Sequence, residues 1–430
     1  MCGMDRPHIL VVGAGAAGCF AAIAAAEMLA GRGRVTLCEA TAHPLAKVRI
    51  SGGGRCNVTH ACFNPRDLVR HYPRGGRELL GAFHRFGPLD TIAWFERHSV
   101  ALKTESDGRM FPVTDDSATI TSALMQAVER AGVALLIQTP IRRVNASPPE
   151  APDAPASDGR FRIQLTNERI LIADRLILAT GGLKGLGSSI AEMLGHTIEP
   201  PVPSLFTFHI DDARIEGLAG LSLDDTSTHV TGSDLKERGP LLVTHWGMSG
   251  PAILKLSAWG ARVLAARGYK FELGVNFCPT HTRDSAHMAM IAHRGRHPRR
   301  QLGGSSPFPL PARLWERLVL AAGVRETTTW TQISNDAIAK LAGQVITARF
   351  SVTGKSANKE EFVTCGGVRL NEVDFRTMES RKCRGLHLAG EVLDIDGITG
   401  GFNFQSAWTT GWLAGRAAAE SLTGVTESGS

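Results

Sequence analysis

The segment from His8 to Glu39 constrains the fold more than any other. A short apolar run, Ile9-Leu10-Val11-Val12, turns through Gly13-Ala14-Gly15-Ala16-Ala17-Gly18. An alanine-rich stretch follows to Ala30, and a second apolar run, Val35-Thr36-Leu37-Cys38, ends on Glu39. Strand, glycine turn, helix, strand and acid are the parts of a βαβ unit with G-x-G-x-x-G spacing, the fingerprint of dinucleotide binding. Gly13 makes the turn, Gly15 lets the backbone touch a pyrophosphate, and Gly18 lets the helix pack closely. The free N–H groups of the first helical turn then point at the phosphates. Glu39 accepts hydrogen bonds from an adenosine ribose and rejects a 2′-phosphate, so FAD or NAD fits better than NADP. A glycine turn alone would mean only tight packing; strand, helix and acid in these places predict a nucleotide.

A chain of 430 residues, 43% hydrophobic and 20% charged, is expected to be globular with two or three domains. Its net charge of +6 is mild for this length and calls for no nucleic acid. None of the eight cysteines stands in a C-x-x-C pair, and several fall inside predicted strands or the first helix. Reduced, buried thiols and a cytoplasmic location are expected. The long apolar run from Ile9 to Ala30 is interrupted by glycines and Glu27, so neither a signal peptide nor a membrane span is expected.

After Glu39, Lys47-Val48-Arg49-Ile50-Ser51-Gly52-Gly53-Gly54-Arg55-Cys56-Asn57 cannot be a regular element. Ser51, Gly53, Arg55, Cys56 and Asn57 are expected to face a cofactor, with Lys47 or Arg49 balancing phosphate charge. Leu68 to His98 reads as helical with a break near Gly87-Pro88, and Ser117 to Ala131 as an amphipathic helix ending at Gly132. Strands are expected at Val133–Gln138 with Ile141–Val144, at Arg160–Leu165 and at Arg169–Ala173, with Asn145 to Gly159 a long hairpin tip. The apolar strand Leu176–Ala179 runs into Gly181-Gly182, which should line the same crevice as the first turn. No acid-ended βαβ unit follows it, so no separate nicotinamide domain is evident.

From about Pro200 the pattern changes to short strands, Leu205–Ile210, Ser227–Val230, Leu241–Val243 and Lys270–Phe277, with Gly250-Pro251 opening a helix. His281 to about Leu341 is more helical, and Val345 to Thr353 returns as strand. An inserted barrel with a helical cap accounts for this region. Near the end, the strand Gly385–Gly390 meets Glu391, then a turn through Gly400-Gly401 opens a last helix from about Gln405. The partial positive charge of that helix end, aimed at a flavin, would stabilise the anion formed on reduction. Gly390, Glu391, Gly401, Phe402, Asn403 and Gln405 are therefore candidate cofactor contacts.

These residues resemble the two-dinucleotide-binding-domain flavoproteins. More narrowly, Ile50 to Asn57, Thr244 to Pro251 and Gly390 to Asn403 look like the YhiN/BaiN-like FAD-dependent oxidoreductases, some of whose members are described as aminoacetone oxidases. The resemblance implies an α/β fold with a glutathione-reductase-type FAD domain from residues 1–199 and 354–425. It also implies an inserted β-barrel from 200–280 and 344–353, a helical subdomain from 281–343 and a tail from 426. By similarity, Gly13, Gly15, Ala16, Ala17 and Gly18 would hold the pyrophosphate and Glu39 the ribose. Backbone near Ile141 would touch adenine, Glu391 would bind ribitol or pyrophosphate, and Ser51–Asn57 with Gly400–Gln405 would surround the isoalloxazine. The stretch after Gly182 is shorter than the family's, and the helical subdomain is abbreviated and rich in His and Arg.

The expected chemistry is hydride transfer at flavin N5, with NAD(P)H as transient donor and a small organic substrate, an amine or C=C compound, or oxygen as acceptor. Cys56 and His245 are weak catalytic candidates, since flavin-facing packing and a satisfied structural histidine explain them as well. His281, His287, His293 and His297 invite a metal, but Gly295 and Pro298 interrupt the helix and no cysteine or carboxylate pair joins them; a solvated basic cap is expected. The alternatives are a flavin-bound redox sensor or electron-transfer protein, and a flavoprotein acting on RNA, for which Arg294 to Arg300 speaks.

Overall fold

The computed structural model describes residues 6–146, 161–182, 186–355 and 363–424. The chain packs as two units, residues 1–202 with 363–430, and residues 203–362. In the first unit a seven-stranded sheet runs in the order Val373–Asp374, Glu379–Ser380, Leu386–Leu388, Arg175–Leu178, His8–Val12, Arg34–Cys38, Ala134–Leu136. The strands from Leu386–Leu388 to Ala134–Leu136 are parallel, and Val11 lies between Leu37 and Ile177. All five residues of His8–Val12 are buried, as a central parallel strand with both faces covered requires. The chain leaves this strand toward Arg34–Cys38 on one side and returns to Arg175–Leu178 on the other. That makes it the switch point at whose carboxyl end a ligand is expected in such a sheet.

The helix Ala16–Leu29 is apolar nearly all round, as a helix enclosed on every side must be. The last helix, Phe402–Thr423, lies along it. A Cβ added to Gly411 would sit 2.3 Å from the carbonyl oxygen of Ala17, and one on Gly415 2.1 Å from that of Ala21. The two backbones therefore touch. Phe20 fills the remaining space among Phe86, Trp94, Phe95 and Trp408.

Several expected elements differ. The stretch 68–98 is not one helix broken once: helices Pro65–Leu68, Gly76–Arg85 and Pro88–Arg97 are separated by an extra break before Gly76. The Tyr72 hydroxyl donates to Phe402 O at 2.6 Å, Arg74 pairs with buried Asp396, and Gly75 takes a φ of +80°. Distant partners claim these residues, and a continuous helix could not serve them. Ala134–Leu136 joins the main sheet rather than pairing with Ile141–Ala146, which forms its own antiparallel sheet with Phe161–Leu165 and Ile170–Ala173. Most of the expected hairpin tip, residues 147–160, lies outside the described residues. The last helix starts at Phe402, three residues earlier than expected.

The second unit is a closed antiparallel barrel: Phe208–Ile210, Gly247–Ser249, Lys236–Thr244, Ser222–Val230, Phe271–Asn276 and Ala348–Lys355. Helices Arg283–Arg296, Ala312–Ala321 and Asn335–Ile346 share one apolar core with it, including Phe208, Phe350, Met290, Trp315, Trp330 and Ile338. Val345 belongs to the last turn of Asn335–Ile346, not to the strand after it; the Ser334 hydroxyl caps that helix by accepting from Ala337 N. The α/β class and the inserted barrel are as the sequence predicts.

Candidate active site

At the first turn, Gly13 has a φ of +100°, and a Cβ there would meet Ala179 O at 2.5 Å; one on Gly18 would meet Gly13 O at 1.8 Å. Only glycine satisfies both approaches. Gly15 differs: nothing lies within 4 Å of its added Cβ, and it starts the helix Ala16–Leu29 with no side-chain cap. The backbone N–H groups at Ala16 and Ala17 are left to an external acceptor, with the positive end of the helix dipole behind them. Glu39 stands beside the turn, its Oε2 accepting from Ala14 N at 3.0 Å and its Oε1 from Thr41 N and Oγ1 at 2.9 Å each. Thr139 N donates to Glu39 O, which brings the strand beginning at Ile141 to the same edge.

A second wall comes from residues more than 100 positions away. Gly181 has a φ of +75°, and a Cβ on Gly182 would strike Thr364 Oγ1 at 1.9 Å and Glu391 Cδ at 3.0 Å. Glu391 Oε1 accepts from Thr364 N at 2.8 Å, and its Oε2 meets Lys47 Nζ at 2.5 Å. Gly390, φ +72°, faces Ala17 Cβ. The structure thus brings Lys47, Gly181, Gly390 and Glu391 to the first helix's opening turn. The Thr180 hydroxyl, buried at the end of its strand, has no partner among the described residues. An orphaned hydroxyl at a strand's carboxyl end, an unfilled glycine cradle and a ribose-competent acid together fit a bound FAD.

The glycine loop is helical through Ile50 and then breaks, with Ser51 extended and Gly52, Gly53 and Gly54 at φ of +58°, +69° and +83°. Nothing lies near an added Cβ on Gly53 or Gly54. The polar side chains here are mostly spent on the frame. Ser51 donates to Val48 O at 2.9 Å. Arg55 lies 3.9 Å over the Phe111 ring and pairs with Glu105 at 2.7 Å and Asp115 at 3.4 Å. Asn57, with its amide turned to suit its neighbours, donates to Thr59 O and accepts from Gly401 N, both at 3.0 Å. Asn403 closes the preceding loop on Gly397 N and O at 2.8 and 2.9 Å. Gln405, fully buried, accepts from Thr59 at 2.6 Å and Thr91 at 3.0 Å and donates to Thr409 at 3.1 Å. What this region leaves open is the space beside Gly53 and Gly54.

Cys56 is fully buried and burial pushes its thiol up to about 12, so it is no thiolate at neutral pH. His245 lies exposed in the turn between two strands of the barrel, beside Trp246, in the other unit. Sequence reasoning missed the ring group at the last helix's start, where His60 and His71 stack on Phe402 at 4.7 and 4.4 Å. It also missed the Arg74–Asp396 pair beside it. Their partners lie over 300 positions apart, and no local pattern marks them.

A doubly wound sheet with this cradle and an inserted barrel defines an FAD-dependent oxidoreductase of the Rossmann type. The chain belongs to the HI0933-like protein Rossmann domain family, whose profile matches residues 7–417. It is 31% identical over 420 residues to a ribosomal RNA dihydrouridine synthase of Escherichia coli K12, covering 95% of this chain and 97% of that one. It is 30% identical over 423 residues to a 3-dehydro-bile acid delta(4,6)-reductase of Clostridium scindens, covering 96% and 99%. Among solved structures, the fold resembles a 3-ketosteroid-delta4-(5alpha)-dehydrogenase from Rhodococcus jostii RHA1, with a TM-score of 0.51, 13% identity and coverage of 97% and 98%. A flavocytochrome c3 fumarate reductase matches with a TM-score of 0.51, 15% identity and coverage of 97% and 79%. Among the described residues no helix is long and apolar enough to cross a membrane.

Proposed function

We propose that the protein saturates a carbon–carbon double bond conjugated to a carbonyl, with NAD(P)H as the electron donor. One observation carries this reading. Two curated relatives, each matched nearly end to end, act on chemically unrelated molecules, a uridine in RNA and a bile acid, yet both names denote reduction of a double bond polarised by a carbonyl. When bound, FAD supplies the hydride from N5. The chain's own part is to hold and orient. Gly13 to Gly18 and the N–H groups of Ala16 and Ala17 would hold the pyrophosphate, and Glu39 the ribose. Lys47 and Glu391 would hold the ribitol side, and the helix starting at Phe402 would offer its positive end to the flavin. With no second nucleotide fingerprint after Gly182 in the sequence, NAD(P)H would deliver its electrons directly at the flavin. Cys56 takes no part in proton transfer.

An RNA substrate is the second reading. The mild net charge gave no reason to expect nucleic acid, but an average hides local charge, and the segment 294–300 is strongly basic. The relative acting on ribosomal RNA is matched over 97% of its length.

The test is anaerobic reduction of the holoprotein by NADH and by NADPH, followed by an unsaturated ketone or a uridine-containing RNA. Bleaching of the flavin band and its return on adding either acceptor is expected. Reoxidation by oxygen alone, or bleaching by amines instead of NAD(P)H, would overturn the reading. Glu39→Arg should strip flavin from the purified protein.

A further inference from the structure

Residues 281–300 hold five arginines and four histidines against one acid, Asp284. No group of three or more His, Cys, Asp or Glu among the described residues could hold a metal, so the histidines need another explanation. His293 points inward from the helix Arg283–Arg296. Its Nε2 meets Ser305 Oγ at 2.7 Å and its ring lies 4.9 Å from that of Trp330. It anchors the turn that follows. His297 N donates to His293 O at 2.8 Å and Arg300 N to His297 O at 3.1 Å. Thr331 N donates to Pro298 O at 2.9 Å and Trp330 N to Arg300 O at 3.0 Å. The turn is held from both sides, and Arg296, Arg299 and Arg300 stand exposed on it.

These three arginines stand within five residues of one another on a single turn. Three arginines elsewhere in the unit meet carboxylates: Arg214 with Asp212, Arg238 with Asp225, Arg349 with Glu272. None of the three has a carboxylate within ion-pair distance among the described residues. The nearby acids Glu316 and Glu326 flank Gly303 instead. Arg296 does reach back to Ala292 O at 3.4 Å, and stabilising a helix's negative end would explain it. That account does not extend to Arg299 and Arg300, which lie beyond the helix. The cations also act on one spot: burial lowers the pKa of His293, and His297, Arg296 and Arg300 lower it further.

We propose that the turn Arg296–Arg300 is a docking surface for the phosphate backbone of RNA. The choice of RNA as partner rests on the second reading above; the surface itself rests on the geometry. Arginine's planar fork binds phosphate oxygens in pairs, and a preformed turn spends little entropy doing so. A membrane surface fits less well. The exposed apolar side chain of this helix, Met288, lies eight residues before Arg296, about 12 Å along the helix, and no aromatic anchor is exposed at the turn.

The experiment uses FAD-loaded, oxidised full-length protein with no NAD(P)H and a fluorescein-labelled RNA hairpin, followed by anisotropy across a KCl series. The triple variant Arg296→Glu, Arg299→Glu, Arg300→Glu is compared with a control of equal charge change in the other unit, Arg32→Glu, Arg97→Glu, Arg130→Glu. Losing three phosphate contacts should flatten the slope of log K against log salt by about 2–3 and weaken binding at least about 30-fold. The control should change affinity less than about threefold. Equal losses in both variants would reduce the effect to net charge and overturn the proposal, as would unchanged binding in the turn variant. So would a turn variant that loses polyglutamate or anionic vesicles but keeps RNA. Should the glutamate variant misfold, judged by circular dichroism and flavin content, the corresponding glutamine triple must weaken RNA binding in the same direction. RNA binding here, together with no uridine reduction in the NAD(P)H assay above, removes only the RNA-substrate reading. Reduction of an unsaturated ketone without RNA binding removes only this docking surface.

Discussion

The seam between the first and last helices of the FAD unit offers a sharp test, because two physical effects there predict opposite signs. Gly411 and Gly415 lie inside the helix Phe402–Thr423, where replacing glycine by alanine normally stabilises by about 1 kcal/mol. In the folded protein the added methyls would stand 2.3 and 2.1 Å from the carbonyl oxygens of Ala17 and Ala21. Ordinary contact begins at 3.4 Å, so the helices must part by 3.4 − 2.3 = 1.1 Å and 3.4 − 2.1 = 1.3 Å. The obstacle is backbone, which has no rotamer to escape into, so the cost belongs at the upper end of overpacking, about 3 kcal/mol per site. Subtracting the propensity gain leaves about 2 kcal/mol each. At about 2 °C per kcal/mol for a unit of this size, the double variant Gly411→Ala, Gly415→Ala should lower the apparent thermal midpoint by about 8 °C. Flavin content should fall too, since the displaced helix carries Ala16 and Ala17 at its opening turn. Melting of the holoprotein, followed by circular dichroism and by released flavin fluorescence, measures both. A midpoint unchanged or raised would refute the reasoning, showing that the seam yields at no cost.

Other predictions concern charge and reactivity. His196, buried, joins Glu372 at 2.9 Å and Ser380 at 2.8 Å, and Lys382 meets Glu372 at 2.7 Å. Burial opposes the charge on Glu372, but hydrogen bonds from Lys382, Thr197 and His196 outweigh it and hold the carboxyl at about 2. A folded-state pKa below the unfolded one stabilises above about pH 4.5 and loses that contribution as pH falls toward 2. Glu372→Gln should therefore melt earlier than the parent at pH 7, with the gap closing in acid; a gap independent of pH would remove the charge from the explanation. Cys56 should resist alkylation at pH 8 in the folded protein, and Cys56→Ala should keep its flavin and turnover; rapid labelling of that thiol, read by peptide mass spectrometry, would show that it is a reactive group after all. Glu391→Gln takes one charge from the pair with Lys47 and should speed FAD loss on dialysis about tenfold, whereas unaltered retention would mean the pair is only structural.

The FAD cradle was legible in the sequence because its physics is local. A positive φ at Gly13, an open Gly15 and an acid closing the second strand are set within about 30 residues of chain, and periodicity with glycine spacing records them. The barrel was legible as a class for the same reason, since short strands and turns leave local marks. Tertiary structure alone decided the protein partners of the polar side chains around that cradle. Arg55, Asn57 and Gln405 looked like ligand contacts, yet their partners are Glu105, Gly401 and Thr91, chosen by chain segments that meet only after folding. It likewise broke the helix before Gly76 to give Tyr72 and Arg74 their partners, and seated Gly411 on Ala17. A hydrogen bond or a backbone contact between residues 50 to almost 400 positions apart leaves no periodic trace in either segment. The nucleotide fold was therefore written in the sequence, while the allocation of its side chains was settled by packing.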